Sequence, residues 1–245
     1  MRIKEKITEI DYGKSKQFFK NRAGKFREDN PYSVTMYQDN NEALVRERNR
    51  LETEKLLPLL SLDKHSRVLD IACGIGRWAD ALPEAIEEYC GIDFSGELIE
   101  IANSRNTKGN FSFLEGAATE TETVLKRDGK GTYNVVLLIG ILMYVNDSDM
   151  VSALEQVARS CEEHAVICIR EPIGMQDRLT LKEFFSDELK DNYNAIYRTR
   201  EELMAFFRDT FLKEGFRISE EEFLFEGDEL NNRKETAQYY YILKR

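Results

Sequence analysis

Histidine is nearly missing from this chain, which has only His65 and His164. Each stands just before an apolar run, Arg67 to Ile71 and Ala165 to Ile169, that reads as a β-strand. Both therefore belong at the amino edge of a parallel sheet, whereas open α/β sheets bind their ligands at the carboxyl edge. The side chain most often used as a general base is thereby excluded from catalysis. The four cysteines, Cys73, Cys90, Cys161 and Cys168, lack any C-x-x-C spacing. They read as reduced thiols packed like small hydrophobes, and no metal is expected. Long apolar runs are missing too: no window approaches the ~18 residues needed to span a bilayer. The segment Met1 to Ile10 is charged and lacks the apolar core of a signal peptide, so a cytoplasmic protein with no membrane partner is expected. Positive charge is also in short supply. With a net charge of -10 and a pI near 5.0, general affinity for nucleic acid is disfavoured. Repeats, low-complexity tracts and Pro/Gly-rich linkers are absent, which favours one unit with appended segments.

What is present is a βα alternation. A chain of 245 residues can build one α/β domain that buries roughly 70–75% of its unfolded surface. Residues 1–41 read as an N-terminal arm or lid: a helix and then an extended stretch, rich in aromatics (Phe18, Phe19, Tyr32, Tyr37) and carrying Arg22. Residues 42–245 read as the main domain. It opens on an amphipathic helix from Glu42 to Leu62, whose cluster Arg46, Glu47, Arg48 and Arg50 reads as a solvated face. Strands are predicted at Arg67–Ile71, Tyr89–Ile92, Phe111–Leu114, Tyr133–Ile139 and Ala165–Ile169, with helices between them. That rhythm predicts a doubly wound, mostly parallel seven-stranded sheet with right-handed crossovers. Phe216–Phe225 and Ala237–Leu243 would supply an antiparallel C-terminal edge. An insert over about 172–200 would cover a pocket, with Leu181–Leu189 helical.

The whole is organised around Val68-Leu69-Asp70-Ile71-Ala72-Cys73-Gly74-Ile75-Gly76-Arg77-Trp78, a strand that runs through a glycine turn into a helix. Such a turn brings backbone N–H groups close to a ligand. Taken alone, Gly74-x-Gly76-x-x-Ala79 with Asp93 one strand later also fits a dinucleotide site. Asp70, an acid at the mouth of the strand, would repel a pyrophosphate but could meet a cationic amino group. Trp78 would crowd a diphosphate yet pack on a compact apolar ligand, and no second nicotinamide-binding half follows. These details favour S-adenosylmethionine (SAM).

Here the chain resembles the class I SAM-dependent methyltransferases over roughly Val68 to Arg170. Val68 to Gly76 looks like that family's first motif, with Ala72 where a first glycine is usual. Gly91-Ile92-Asp93-Phe94-Ser95, followed by Leu98 and Ala102, is similar to the second. The resemblance implies that backbone around Ala72, Gly74 and Gly76 lies against the methionine part of SAM. It further implies that Asp93 accepts from the ribose hydroxyls, that Phe94 and Leu98 flank the adenine, and that Ile139 passes beside the sulfonium. Ala117 stands where the family often has an adenine-binding acid, so adenine recognition leans on backbone atoms.

Methyl transfer needs in-line positioning and, for a hydroxyl acceptor, removal of a proton. Glu171 and Tyr144, predicted at the carboxyl edge, are the candidate catalytic residues. Arg22 and Arg198 are candidates for holding a phosphate or carboxylate, and Tyr32 and Tyr37 for stacking on an acceptor. The expectation is methyl transfer to a small-molecule acceptor, a sugar or secondary-metabolite hydroxyl, by similarity to small-molecule methyltransferases. The rivals are an amino-sugar N-methyltransferase, a tRNA-modifying enzyme, a noncatalytic SAM-binding module and a nicotinamide-dependent oxidoreductase.

Overall fold

Tyr133–Ile139, a run buried on both faces, is the central strand of the main sheet, because a strand covered by helices on each side has no polar face to present. A computed structural model describes residues 1–37, 39–227, 229–231 and 233–245. In chain order the strands are β1 (Arg2–Lys4), β2 (Arg67–Ile71), β3 (Glu88–Asp93), β4 (Phe111–Glu115), β5 (Tyr133–Ile139), β6 (Cys161–Gly174), β7 (Leu179–Ser186), β8 (Asp191–Tyr197), β9 (Arg217–Phe223) and β10 (Thr236–Lys244). The helices are α1 (Tyr12–Ala23), α2 (Ser33–Met36), α3 (Glu42–Leu56), α4 (Arg77–Ala81), α5 (Gly96–Arg105), α6 (Thr121–Arg127), α7 (Asp147–Arg159) and α8 (Arg200–Asp209).

The main sheet has seven strands in the order β4-β3-β2-β5-β6-β10-β9. β2 to β6 are parallel, while β10 pairs antiparallel with β6 and with β9. The antiparallel strand therefore lies one place in from the edge, with β9 outside it. Two apolar layers cover the faces. One centres on Val157, Leu154 and Phe207 of α7 and α8, the other on Leu56, Trp78 and Leu82. Local signals set the helix starts. The Ser95 hydroxyl accepts from Leu98 N, and Thr199 with Glu202 closes a capping box on α8.

Two segments differ from their sequence-based reading. Leu181–Leu189, predicted helical, is instead mostly strand: β7 pairs with β8 and with β1, making a second, three-stranded antiparallel sheet over the carboxyl edge. Tertiary pairing overrides the local pattern here, since the buried Leu179, Thr180 and Leu181 pair with Lys4, Ile3 and Arg2 at the far end of the sequence. The arm beyond α1 is a set of turns around the short α2, not an extended stretch, and one buried arginine fixes it. Arg22, fully buried, donates to Val34 O (3.1 Å), to Ser33 O and to both carboxylate oxygens of Asp39 (2.7 and 2.6 Å). A planar fork that satisfies two carbonyls and a carboxylate is a structural pin. Arg22 is accordingly not free to hold an acceptor's phosphate or carboxylate.

Candidate cofactor and acceptor site

The carboxyl ends of β2, β3 and β5, together with α1, α2 and the second sheet, line a partly open cavity of about 320 Å³. That is at the lower end of the size range of small-molecule sites. Ala72, Gly74, Asp93, Phe94, Leu98, Ala117 and Ile139 all line it, so most of the expected cofactor residues converge on one space.

Asp93, at the last position of β3, sits at the centre of this wall. Its Oδ2 accepts from Gly74 N and its Oδ1 from Ser95 N, both at 2.9 Å, which ties the glycine turn to the β3 end. A carboxylate has about four lone-pair directions. Two are used by these amides, and the rest are available to a pair of hydroxyls in the cavity, as a ribose would present them. Burial pushes the Asp93 carboxyl up to about 6, against the lowering effect of the two amides.

The turn itself requires left-handed backbone at Ala72 (φ 64°), Gly74 (φ 57°) and Gly76 (φ 79°). Ala72 thus occupies a glycine conformation. Its N–H is held by Ile92 O at 2.7 Å, which maintains the strain. Ala72→Gly is expected to stabilise the protein by up to ~1 kcal/mol, relief of strain outweighing the added freedom of the unfolded chain. Urea unfolding checks this, and a loss of stability would show that the Ala72 methyl packs usefully. At Gly74 a Cβ would lie 2.7 Å from the Cγ2 of Thr35, so glycine there lets α2 sit directly on the turn.

Several expected site residues lie elsewhere. Trp78 is buried behind the turn, its indole N–H donating to Glu52 Oε1 (3.2 Å), so it belongs to the core beneath the loop and not to a ligand wall. Gly76 starts α4 and packs against Phe113, outside the cavity lining. Asp70 is buried and accepts from the Tyr89 hydroxyl (2.8 Å), so it does not meet a ligand's amino group. Desolvation raises its carboxyl to about 7. Tyr32 donates to Asp80 on the outer surface (2.8 Å), away from the cavity. Arg198 is buried and donates to Leu142 O and Val145 O, both at 2.7 Å, and to Asp147, fastening the β5–α7 connection. It is a structural residue, not an anion holder.

Of the two candidate catalytic residues, Glu171 lies within β6, not in a turn after it. Its Oε1 accepts from Leu142 N (2.7 Å) and its Oε2 from Met143 N (3.2 Å). Both oxygens cap the short helical turn at Leu142–Tyr144, so Glu171 shapes that turn and does not reach the cavity as a base. Desolvation raises it to about 7. Tyr144 does line the cavity, with its hydroxyl hydrogen-bonded to that of Tyr37; burial pushes both phenols up, so neither ionises near neutrality. His65 and His164 are exposed at the amino edge, as expected. All four cysteines are buried and free, and among the described residues no cluster of His, Cys, Asp or Glu could hold a metal. No helix among the described residues is long and apolar enough to cross a membrane.

Sequence reasoning missed one wall of the cavity. Arg48, Glu52, Arg170, Glu188, Arg233 and Gln238 line the side opposite Asp93. Glu52 anchors it: buried on α3, it pairs with Arg77 and lies 2.9 Å from Arg170 Nε. Burial pushes its carboxyl up, but the two guanidiniums outweigh that and hold it below the ordinary range. A signal for this face was available. Val45, Arg48, Glu52 and Leu56 recur at helical spacing, so Arg48 and Glu52 share the buried stripe of α3 while Arg46 and Arg50 point outward to Glu42, Glu47 and Glu54.

A parallel sheet with one antiparallel strand near its far edge and a ligand cavity at the carboxyl ends defines the α/β fold of the class I SAM-dependent methyltransferases. Residues 68–164 match the family described as Methyltransferase domain. The chain shares the Rossmann-like fold of a SAM-dependent methyltransferase of Leishmania major, which superposes with a TM-score of 0.60 at 15% identity, covering 93% of this chain and 83% of that one. Phosphoethanolamine N-methyltransferase 1 of Zea mays is 22% identical over 207 residues, 83% of this chain and 40% of the relative. The chain thus spans less than half the length of the curated relatives it matches. Among solved structures, Haemonchus contortus phosphoethanolamine N-methyltransferase 1, bound to phosphoethanolamine and S-adenosylhomocysteine (SAH), superposes with a TM-score of 0.66 at 19% identity, covering 94% of this chain and 48% of that one. The N-methyltransferase NodS of Bradyrhizobium japonicum, bound to SAH, superposes with a TM-score of 0.60 at 14% identity, covering 95% and 98%.

Proposed function

We propose that this protein binds SAM along the Ala72–Asp93 wall and transfers its methyl group to a small-molecule acceptor held under the arm and the second sheet. One observation carries the reading: the Asp93 carboxylate, fixed by two backbone amides, keeps acceptor capacity directed into a partly open cavity. SAM supplies an electrophilic methyl group on a cationic sulfur. The protein's part is to bind, orient and exclude water. Asp93 would hold the ribose hydroxyls, Phe94 and Leu98 would flank the adenine, and backbone at Ala72 and Gly74 would follow the methionine chain. Phe19, Tyr37 and Tyr144 would keep water from the reacting methyl.

The nucleophile is proposed to be an amine nitrogen. Glu171 is committed to backbone amides and both histidines are remote, so among the described residues no strong base stands at the β5–β6 edge. A neutral amine needs none: its lone pair attacks the methyl carbon, the carbon–sulfur pair returns to sulfur, and the nitrogen later releases a proton to solvent. The N-methyltransferases among the relatives and structural neighbours agree with this. A second reading, a hydroxyl acceptor, is favoured by Glu188, a cavity carboxylate whose proton affinity is raised by desolvation. It would then serve as the base.

Calorimetric titration with SAM and SAH, followed by a methyl-release assay on matched amine and alcohol panels, tests both readings. SAH is expected to bind and amines to be methylated. Failure of SAM and SAH to bind at millimolar concentration overturns the function, and turnover confined to alcohols and lost in Glu188→Gln overturns the choice of nitrogen.

A further inference from the structure

The wall opposite Asp93 carries more positive charge than its own contacts use. Arg48 lines the cavity at 5% exposure, and its Nε is buried with no hydrogen-bond partner. Its helix neighbours Arg46 and Arg50 both pair with carboxylates. The charges facing Arg48 are Glu188, outside ion-pair distance among the described residues, and Arg170, which adds repulsion. Arg233 enters from the β9–β10 connection. Its guanidinium lies over the rings of Tyr193 (5.5 Å) and Tyr197 (5.7 Å) and donates to the Tyr197 hydroxyl (3.2 Å), with no carboxylate partner among the described residues. Arg170 is balanced by Glu52, which Arg77 already shares. Among the described residues one carboxylate, Glu188, is left to face Arg48 and Arg233 together.

An unpaired buried guanidinium costs several kcal/mol of desolvation, and a protein that only needed to fill this space would use an apolar side chain. Arg48 and the half-buried Arg233 both line this cavity, and two guanidinium forks there suit the geometry with which arginine takes a carboxylate or a phosphate. Arg233 also adjoins the proposed reacting end, since its charge reaches Tyr144. We propose that the methyl acceptor carries an oxyanion, a carboxylate or a phosphate monoester, and that Arg48 and Arg233 hold it. This rests on the reading of the cavity as an acceptor site, and it places the anion on the side opposite the ribose.

The test is calorimetric titration of the full chain with inorganic phosphate and, separately, with sodium acetate, each with and without SAH and at fixed ionic strength. Saturable binding of at least one anion is expected, and which of the two binds more tightly distinguishes a phosphate from a carboxylate acceptor. Arg48→Gln and Arg233→Gln should each weaken it by about tenfold or more, the loss of a charge-assisted hydrogen bond. Arg46→Gln, on the outer face of the same helix, should leave it unchanged, and Glu188→Gln should tighten it. In anion-free buffer Arg48→Gln should melt at or above the wild-type temperature, because it removes an unpaired buried charge; a structural arginine would do the reverse. Failure of both anions to saturate, or equal affinity in Arg48→Gln and wild type, overturns the proposal. Arg48-dependent anion binding without any SAH binding would support the anion site while removing the methyl-transfer reading. SAH binding without anion binding would do the opposite.

Discussion

Asp93→Ala is expected to reduce SAH affinity by at least about a hundredfold, the loss of two hydrogen bonds to a charged acceptor at ~1.5–3 kcal/mol each. Because Asp93 also holds Gly74 N and Ser95 N, the alanine variant disorganises the turn as well as the ribose site. Asp93→Asn separates the two effects: an amide oxygen can keep one backbone contact while the charge is lost. The pH dependence sharpens the assignment. The carboxyl titrates at about 6 in the folded protein, above its ordinary range. Its protonation therefore stabilises the fold: that contribution is fully present below the unfolded value of ~4 and is lost as pH rises through about 6. Cofactor affinity should run the other way, since the ribose needs the ionised form. It should fall by up to about tenfold per pH unit as pH drops below that value. The profile should be flat in Asp93→Asn. Calorimetry between pH 5 and 8 checks both, and wild-type affinity retained in Asp93→Ala would remove this residue from the cofactor site.

Glu52→Ala is expected to produce the largest loss of stability of any single substitution in the site. The carboxylate is 2% exposed and links three elements, α3 through its own position, α4 through Arg77 and Trp78, and β6 through Arg170. Its removal leaves two largely buried guanidiniums without their counter-charge, at a cost of ~3–5 kcal/mol. For a chain of this length that corresponds to a fall in melting temperature of roughly 6–20 °C. Glu52→Gln should lie between, since it keeps an acceptor for Arg77 while losing the charge. Differential scanning calorimetry gives the result, and a loss below ~1 kcal/mol would mean that water or a rearranged side chain satisfies Arg77 and Arg170.

The elements that could be read from residue order alone share a physical reason. Strands buried on both faces, such as Tyr133–Ile139, must be continuously apolar, and an acid at the end of one, Asp93, is conspicuous against that background. The exclusion of His65 and His164 needed only the direction of the strands. What could not be read depends on which way a side chain turns. Asp70, Trp78 and Glu171 flank the site in sequence, yet each is bonded to a group on the core side, and nothing in their spacing distinguishes inward from outward. Arg22 and Arg198 have the chemistry of anion holders, but carbonyls brought close by the fold claim them first. Arg233 lies in a connection whose position at the carboxyl edge follows only from the antiparallel pairing of β10 with β6.

The first strand, Arg2–Lys4, is joined to β7, and its neighbours are fastened in turn: Ile10 to Asn146, Asn21 to Asp191, Lys25 to Leu189 O. The arm and the insert are therefore one mechanical body, hinged on the main sheet at more than one place. An arm that moved away from the cavity would have to break these contacts or carry the insert with it.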